Sequence, residues 1–204
     1  MTSSSSHEAE EDAVLVRSAK TGDDNAFEEL YRRYSLKLCT FVTHMVAIHE
    51  DAQNLTQEAF LTAWQCLPTL QNDAKFKCWL YSIATHKTLD WIRRRRQVEW
   101  TSLEDTIETL ELCDSLRGRR ESAPDEQVIT QEITRLALLR VTASYRSCLL
   151  LQVDAGFSQA EIAELLGISK KSVSVFVKRG FRQFQEAYQR IENDNKSDVE
   201  GRSM

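Results

Sequence analysis

Aromatic and cationic side chains interleave in FKCWLYSIATHKTLDWIRRRRQ, residues 76–97. At helical spacing Phe76, Leu80, Ile83 and Ala84 turn to one side, leaving Trp79, Tyr81, His86, Lys87, Trp91 and Arg93 to Arg96 for the others. Cationic groups neutralise phosphates, and flat rings give unpaired bases a surface to stack on. The two chemistries on one helix suit single-stranded or melting DNA better than a closed duplex. Trp and Tyr at this spacing also serve as ordinary core, so the segment needs a second nucleic-acid signal elsewhere in the chain.

That signal lies in FSQAEIAELLGISKKSVSVFVKRGFRQF, residues 157–184. Ser158 followed by Glu161 is a capping box that opens a helix through Leu166, and Gly167 closes it by tolerating positive φ. Ile168 plugs the turn and Ser169 caps the next helix. There Val173, Val177, Gly180 and Phe184 form an inward stripe, and Lys170, Lys171, Ser174, Val175, Lys178, Arg179 and Arg182 face outward beside Ser172. A short helix, a glycine turn and a basic second helix spell a helix-turn-helix, whose second helix enters the major groove.

A third stretch, HEDAQNLTQEAF, residues 49–60, carries polarity without much charge. Gln53, Asn54, Gln57 and Glu58 share one helical face with Thr56 at its margin, while Leu55, Ala59 and Phe60 point to the core.

These stretches require a helical frame. Only 2 Pro and 6 Gly occur in 204 residues, and apolar positions recur at three- and four-residue intervals, so an all-α chain is expected. Residues 1–11 read as a disordered tail and 12–97 as a first helical domain, with helices opening at GDDNAF and then around 36–47, 50–66 and 74–95. Residues 98–126, acidic and punctuated by Gly118 and Pro124, read as a flexible linker. A second helical domain covers 127–191, and 192–204 reads as a disordered tail.

Composition narrows the function classes. No apolar run approaches the ~18 residues of a membrane span, and MTSSSSHEAEED has neither half of a secretory signal. Cytoplasmic location is expected. Five scattered cysteines and four histidines form no CxxC or HExxH spacing, so neither metal nor cofactor is expected. No nucleophile motif, phosphate loop or carboxylate pair suggests an enzyme. The net charge of −5 hides two basic islands, Arg93 to Arg96 and Lys170 to Arg190, within an acidic chain.

Taken in order, GDDNAFEELYRRY, EDAQNLTQEAFLTAW, the aromatic-arginine helix, a linker and the helix-turn-helix resemble a bacterial sigma factor of the sigma-70 family, extracytoplasmic-function type. The resemblance spans most of residues 12–191 and implies a region 2 bundle over 12–97 and a region 4 helix-turn-helix over 127–191. It implies an alternative RNA polymerase sigma factor that directs core polymerase to a specific promoter set. By it, Asp51, Gln53, Asn54, Gln57 and Glu58 meet the beta-prime clamp helices, and region 4 meets the beta flap. The loop Pro68–Lys75 holds a flipped minus-ten base. Trp79, His86, Lys87, Asp90, Trp91, Arg93 and Arg94 surround the melted strand. Lys170, Lys171, Ser172, Ser174, Val175, Lys178, Arg179 and Arg182 read the minus-thirty-five element of promoter DNA.

Three departures from the family pattern bear on mechanism. Ser174, Val175 and Phe176 stand where basic or small polar residues are usual, leaving fewer bidentate base contacts, although Val175 suits a thymine methyl. His86 replaces the usual Asn. Asp51, Ala52, Gln53, Asn54 replaces an Asp-Ala-Glu-Asp stretch, so two docking carboxylates become amides. A phosphate on Thr56 carries about −1.5 to −2 charges, which makes phosphorylation by a Ser/Thr protein kinase the expected activating switch. An anti-sigma factor is the other candidate regulator. The competing reading is a helix-turn-helix regulator acting on duplex DNA without core polymerase, which leaves the aromatic-arginine helix unexplained.

Overall fold

The computed structural model describes residues 3–101 and 126–201, with side chains described over 7–95 and 129–195. These residues form eight α-helices and two short 3-10 turns, with no strand among them. The helices are α1 Ser3–Lys20, α2 Asp24–Met45, α3 His49–Cys66, α4 Phe76–Thr101, α5 Glu126–Leu139, α6 Ala143–Val153, α7 Gln159–Leu166 and α8 Lys170–Gly201. The 3-10 turns, Leu67–Thr69 and Asp73–Lys75, bracket the link between α3 and α4.

Helices α1 to α4 make the first bundle. The carboxylate of Asp23 accepts the Asn25 backbone N–H at 3.1 Å and starts α2. That helix is continuous through Met45, merging two segments expected to be separate, because Leu30, Tyr34, Leu38, Phe41 and Val42 keep one unbroken buried stripe. Ring pairs Phe27–Trp64, Tyr31–Phe60 and Phe41–Tyr81 then fasten α2 to α3 and α4.

Residues 3–11, expected to be disordered, instead belong to α1. Tertiary contacts explain the correction. Arg33 on α2 reaches Glu11 at 3.0 Å and Asp12 at 3.4 Å, and the Tyr34 hydroxyl donates to the buried Asp12 carboxylate. Burial raises the Asp12 pKa against the pull of Tyr34 and Arg33. At its far end, Lys20 donates to the Leu70 carbonyl and to Asp73 at 2.6 Å, fixing the link between α3 and α4.

The second bundle follows the same logic. Gly167 ends α7 at φ +65°, where a Cβ would be strained. Gly180 has another reason: a Cβ there would meet the Tyr145 carbonyl oxygen at 3.0 Å, so α6 and α8 cross closely. Residues 192–201 were also expected to be irregular, yet they extend α8, which Ile191 and Ala187 anchor on Ile133 and Ala137 of α5. Most of the anticipated linker, from 102 to 125, lies outside the described residues; its two ends are helical, in α4 to Thr101 and in α5 from Glu126.

One hydrophobic core runs through both bundles, from Leu30, Phe41 and Leu80 to Leu151, Phe157, Ile162 and Val173. No described helix is long and apolar enough to cross a membrane.

Candidate nucleic-acid interface

The recognition face of α8 begins with its caps. Ser158 and Glu161 complete a reciprocal capping box: the Ser158 backbone N–H donates to the Glu161 carboxylate at 2.8 Å, and the Glu161 N–H donates to Ser158 Oγ at 3.3 Å. Ser169 Oγ accepts the Ser172 N–H at 3.0 Å and starts α8. Val173 and Gly180 are buried while Lys170, Lys171, Val175, Lys178, Arg179 and Arg182 are exposed and Ser172 and Ser174 half-buried. Arg179 donates to the Tyr145 hydroxyl at 3.1 Å, and among the described residues Arg182 pairs with Glu186 at 3.8 Å. The expected stripe is therefore brought together on one side of one helix.

Helix α4 is more constrained. Phe76, Leu80 and Ala84 are buried, as expected, but so is Tyr81, which sequence periodicity had placed among the open aromatics. Phe41 and Phe157 close on it from two elements, at centroid distances of 5.3 and 5.2 Å. Trp79 and Trp91 are half-buried against the core edge. His86 is exposed, its Nδ1 2.8 Å from the Ser82 carbonyl. Lys87 lies 3.6 Å from Glu58 and Asp90 lies 3.0 Å from Arg93; Arg94 is exposed. Arg95, which the sequence reading placed in the run Arg93 to Arg96 but not among the residues around the melted strand, lies 5.2 Å from the Trp91 ring and 3.4 Å from Asp51. Its spacing of four from Trp91 was the available signal.

On α3, Gln53, Asn54, Gln57 and Glu58 are exposed together and Asp51 is half-buried. Gln53 Nε2 lies 3.2 Å from His49 Nε2. Asp51 and Glu58 reach cations of α4, while Gln53, Asn54 and Gln57 leave an amide patch behind the exposed Glu50 of the first turn.

Thr56 departs from expectation. It is only 5% exposed, and its hydroxyl donates to the Ala52 carbonyl at 2.7 Å. Residues four before, three after and seven after it on the helix are Ala52, Ala59 and Ala63, all fully buried. Thr56 thus sits in a stripe of small residues on the packed side.

Titration adds little chemistry. Burial pushes the Cys78 thiol up to about 11, which keeps it protonated near neutrality. Glu164 raises the Lys75 pKa, and burial lowers that of Lys77. No group of three or more His, Cys, Asp or Glu among the described residues is placed to hold a metal.

Comparison with known proteins follows the same division. The sigma-70 region 2 family profile matches residues 30–98 and the sigma-70 region 4 profile matches 131–184. The RNA polymerase sigma factor NccH of Alcaligenes xylosoxydans xylosoxydans is 30% identical over 172 residues, 82% of this chain and 89% of that protein. CnrH of Cupriavidus metallidurans is 29% identical over 165 residues, 79% of this chain and 86% of the relative. The ECF RNA polymerase sigma factor SigW of Bacillus subtilis is 27% identical over 169 residues, 81% and 90% of the two chains. Among solved structures, CnrH in complex with the cytosolic domain of CnrY superposes with a TM-score of 0.56 at 23% identity, covering 86% of this chain and 96% of that one. RpoE with the anti-sigma factor NepR from Bartonella quintana gives 0.59 at 18%, covering 80% and 96%. With both sigma regions matched in order and relatives aligned over most of their length, the chain belongs to the sigma-70 family as a sigma factor of the extracytoplasmic-function type.

Proposed function

We propose that this chain binds core RNA polymerase and directs it to a specific promoter set, reading DNA with two different helices. The observation that carries the reading is the pairing, in one chain, of the cationic α8 face with the aromatic-arginine α4. Helix α8 suits duplex DNA at the minus-thirty-five element, through Lys170, Lys171, Ser172, Ser174, Val175, Lys178, Arg179 and Arg182. Helix α4 suits the opening minus-ten element, with Trp79 and Trp91 offering ring edges and His86, Lys87, Asp90, Arg93 and Arg94 surrounding the strand. The α3 face of Asp51, Gln53, Asn54, Gln57 and Glu58 docks on the polymerase clamp helices, and the second bundle on the beta flap. The protein acts by binding, not by turnover.

Run-off transcription with purified core polymerase tests this. The chain should confer promoter-specific initiation, whereas a regulator that binds duplex alone leaves core polymerase inactive on the same template.

Phosphorylation of Thr56 as the activating switch carries a geometric condition. The hydroxyl is buried and engaged with Ala52, so a kinase reaches it only after the side chain turns outward or α3 loosens. A phosphate of about −1.5 to −2 charges cannot return to the alanine stripe, so modification would trap the altered helix with its negative charge beside Gln53. Mass spectrometry and transcription on the same samples decide the point. Thr56→Val keeps the shape and removes the acceptor oxygen; it should block induction while leaving the fold intact. Unmodified protein as active as phosphorylated protein removes the switch. Control by an anti-sigma protein has separate support, since RpoE, a solved relative, is held by the anti-sigma factor NepR.

A further inference from the structure

The link between α3 and α4 passes through two short 3-10 turns, and its own hydrogen bonds are local. Leu70 donates its N–H to the Leu67 carbonyl at 3.1 Å and closes the first turn. Thr69 donates its hydroxyl to the Cys66 carbonyl at 2.7 Å. The Asn72 side chain accepts the Ala74 N–H at 3.1 Å, and the Asn72 carbonyl accepts the Lys75 N–H at 3.0 Å, which starts the second turn. Each of these bonds spans three residues or fewer, so none of them sets how the two turns stand to one another. Between the turns Gln71 and Asn72 are exposed.

The contact that joins the turns comes from 50 residues away. Lys20, in the last turn of α1, donates its ammonium to the Leu70 carbonyl at 2.5 Å and to the Asp73 carboxylate at 2.6 Å. Leu70 ends the first turn and Asp73 begins the second, so one cation closes the excursion over Gln71 and Asn72. The Lys20 and Asp73 side chains are only 22% and 20% exposed, which shields the pair from water more than an ordinary surface pair. Without the cation, a carbonyl oxygen and a carboxylate would face one another with nothing between them to hold. Helix α1 is itself well seated. Val16 and Ala19 are buried, and the Asp12 carboxylate accepts from Tyr34 and Arg33 of α2. Lys20 therefore hands the position of a packed helix to an otherwise locally held loop.

From this geometry we infer that Lys20 is a positioning residue for minus-ten recognition: α1 is a strut, and its terminal lysine holds residues 70–73 in the shape that receives a flipped base. The consequence rests on the proposed assignment of the loop Pro68–Lys75 to that base, whereas the bracing does not. Lys20 lies on none of the faces assigned to promoter or polymerase, so it acts through the loop. A base that leaves the stack loses stacking energy. A loop already in shape offsets that loss with its contacts, while a loose loop must be ordered first. A loose loop also adapts to the wrong base. The brace thus bears on the choice of base more than on overall affinity.

Hydrogen exchange on the full free chain tests the brace. In Lys20→Met the amides of Leu70, Ala74 and Lys75 should exchange at least tenfold faster, while those of α2 and α3 keep their protection. Lys20→Gln, which removes the charge with a smaller loss of polarity, should give the same pattern. Lys20→Arg keeps a cation with several donors and should restore most of the protection. The functional readout uses core polymerase with the full chain, in run-off transcription from templates carrying each of the four bases at each minus-ten position. Lys20→Met should lower the preference for the favoured base about tenfold at one position and leave the preferences within the minus-thirty-five element as they were. A lysine that merely stabilised the fold would reduce the melting temperature and depress all templates alike.

Unchanged exchange at the three loop amides in both Lys20→Met and Lys20→Gln overturns the bracing. Faster exchange with base preference intact at every minus-ten position overturns the positioning role. A native chain whose loop loosens on Lys20→Met, yet which never supports transcription, retains the brace and sinks the sigma-factor reading instead.

Discussion

Helices α4 and α8 both carry basic side chains toward solvent, yet their charges are in different states. On α8, no acid among the described residues lies within ion-pair distance of Lys170, Lys171 or Lys178, and Arg182 has one distant neighbour. Around α4, Lys75 holds Glu164, Lys87 faces Glu58, Arg93 faces Asp90 and Arg95 faces Asp51. A phosphate arriving at α8 meets cations whose partners are water and counterions, so binding gains their full release. A phosphate arriving at Lys87, Arg93 or Arg95 must displace a carboxylate first. On the proposed reading α8 is ready for duplex DNA, whereas α4 would exchange partners as DNA or polymerase arrives. The acids concerned, Asp51 and Glu58, belong to the α3 face proposed to dock on polymerase, so such an exchange would link docking to melting.

The largest test of this contrast removes Lys178, Arg179 and Arg182 together as alanines. Duplex affinity should fall roughly a hundredfold or more, and the dependence of log affinity on log salt should flatten by up to about 3. Anisotropy titrations over a salt series measure both, and an unchanged slope would show that α8 does not contact phosphates. Next in size is Trp91→Ala. Loss of one stacking surface, worth about 1–3 kcal/mol, should cut open-complex formation about tenfold in permanganate footprints, and a pre-melted template should restore most of it. A defect that persists on the melted template would make Trp91 a packing residue only.

Gln53→Glu with Asn54→Asp should raise core-polymerase affinity about tenfold by adding charge-assisted contacts. Competition against another sigma factor reads this out, and no gain would move the docking face away from α3. The smallest change is expected from Lys87→Met. Because Lys87 trades Glu58 for DNA, its net contribution is an exposed pair's, below about 1 kcal/mol. Lys178→Met, by contrast, should cost several times more affinity. Equal losses for the two single variants would break the contrast between the helices.

Much of the candidate site was legible because its signals are local. The Ser158–Glu161 box, the Gly167 stop and the Ser169 cap each involve neighbours within a turn, so residue identity fixes them. The α8 stripe follows from a period of 3.6 residues. Where the reading failed, the decisive atoms came from elsewhere in the chain. Tyr81 seemed open because nothing near it in sequence covers it; Phe157 does, 76 positions later. Thr56 seemed marginal because the polar neighbours were weighed and the line of Ala52, Ala59 and Ala63 was not. Its burial was partly readable from that spacing.

The sequence alone determined the all-helical character, the capped helix-turn-helix, the two basic islands and the amide-rich α3 face. Each is set by side-chain type and by periodicity within one element. Tertiary structure alone decided that residues 3–11 fold as part of α1, that Lys87 and Arg95 of α4 already face Glu58 and Asp51, and that Lys75, Lys77, Tyr81 and Ser82 contact the second bundle. Those outcomes depend on charges and rings brought together across tens of residues. Their energies appear only when the chain has paid the entropy of closing long loops, and no local pattern records that they will.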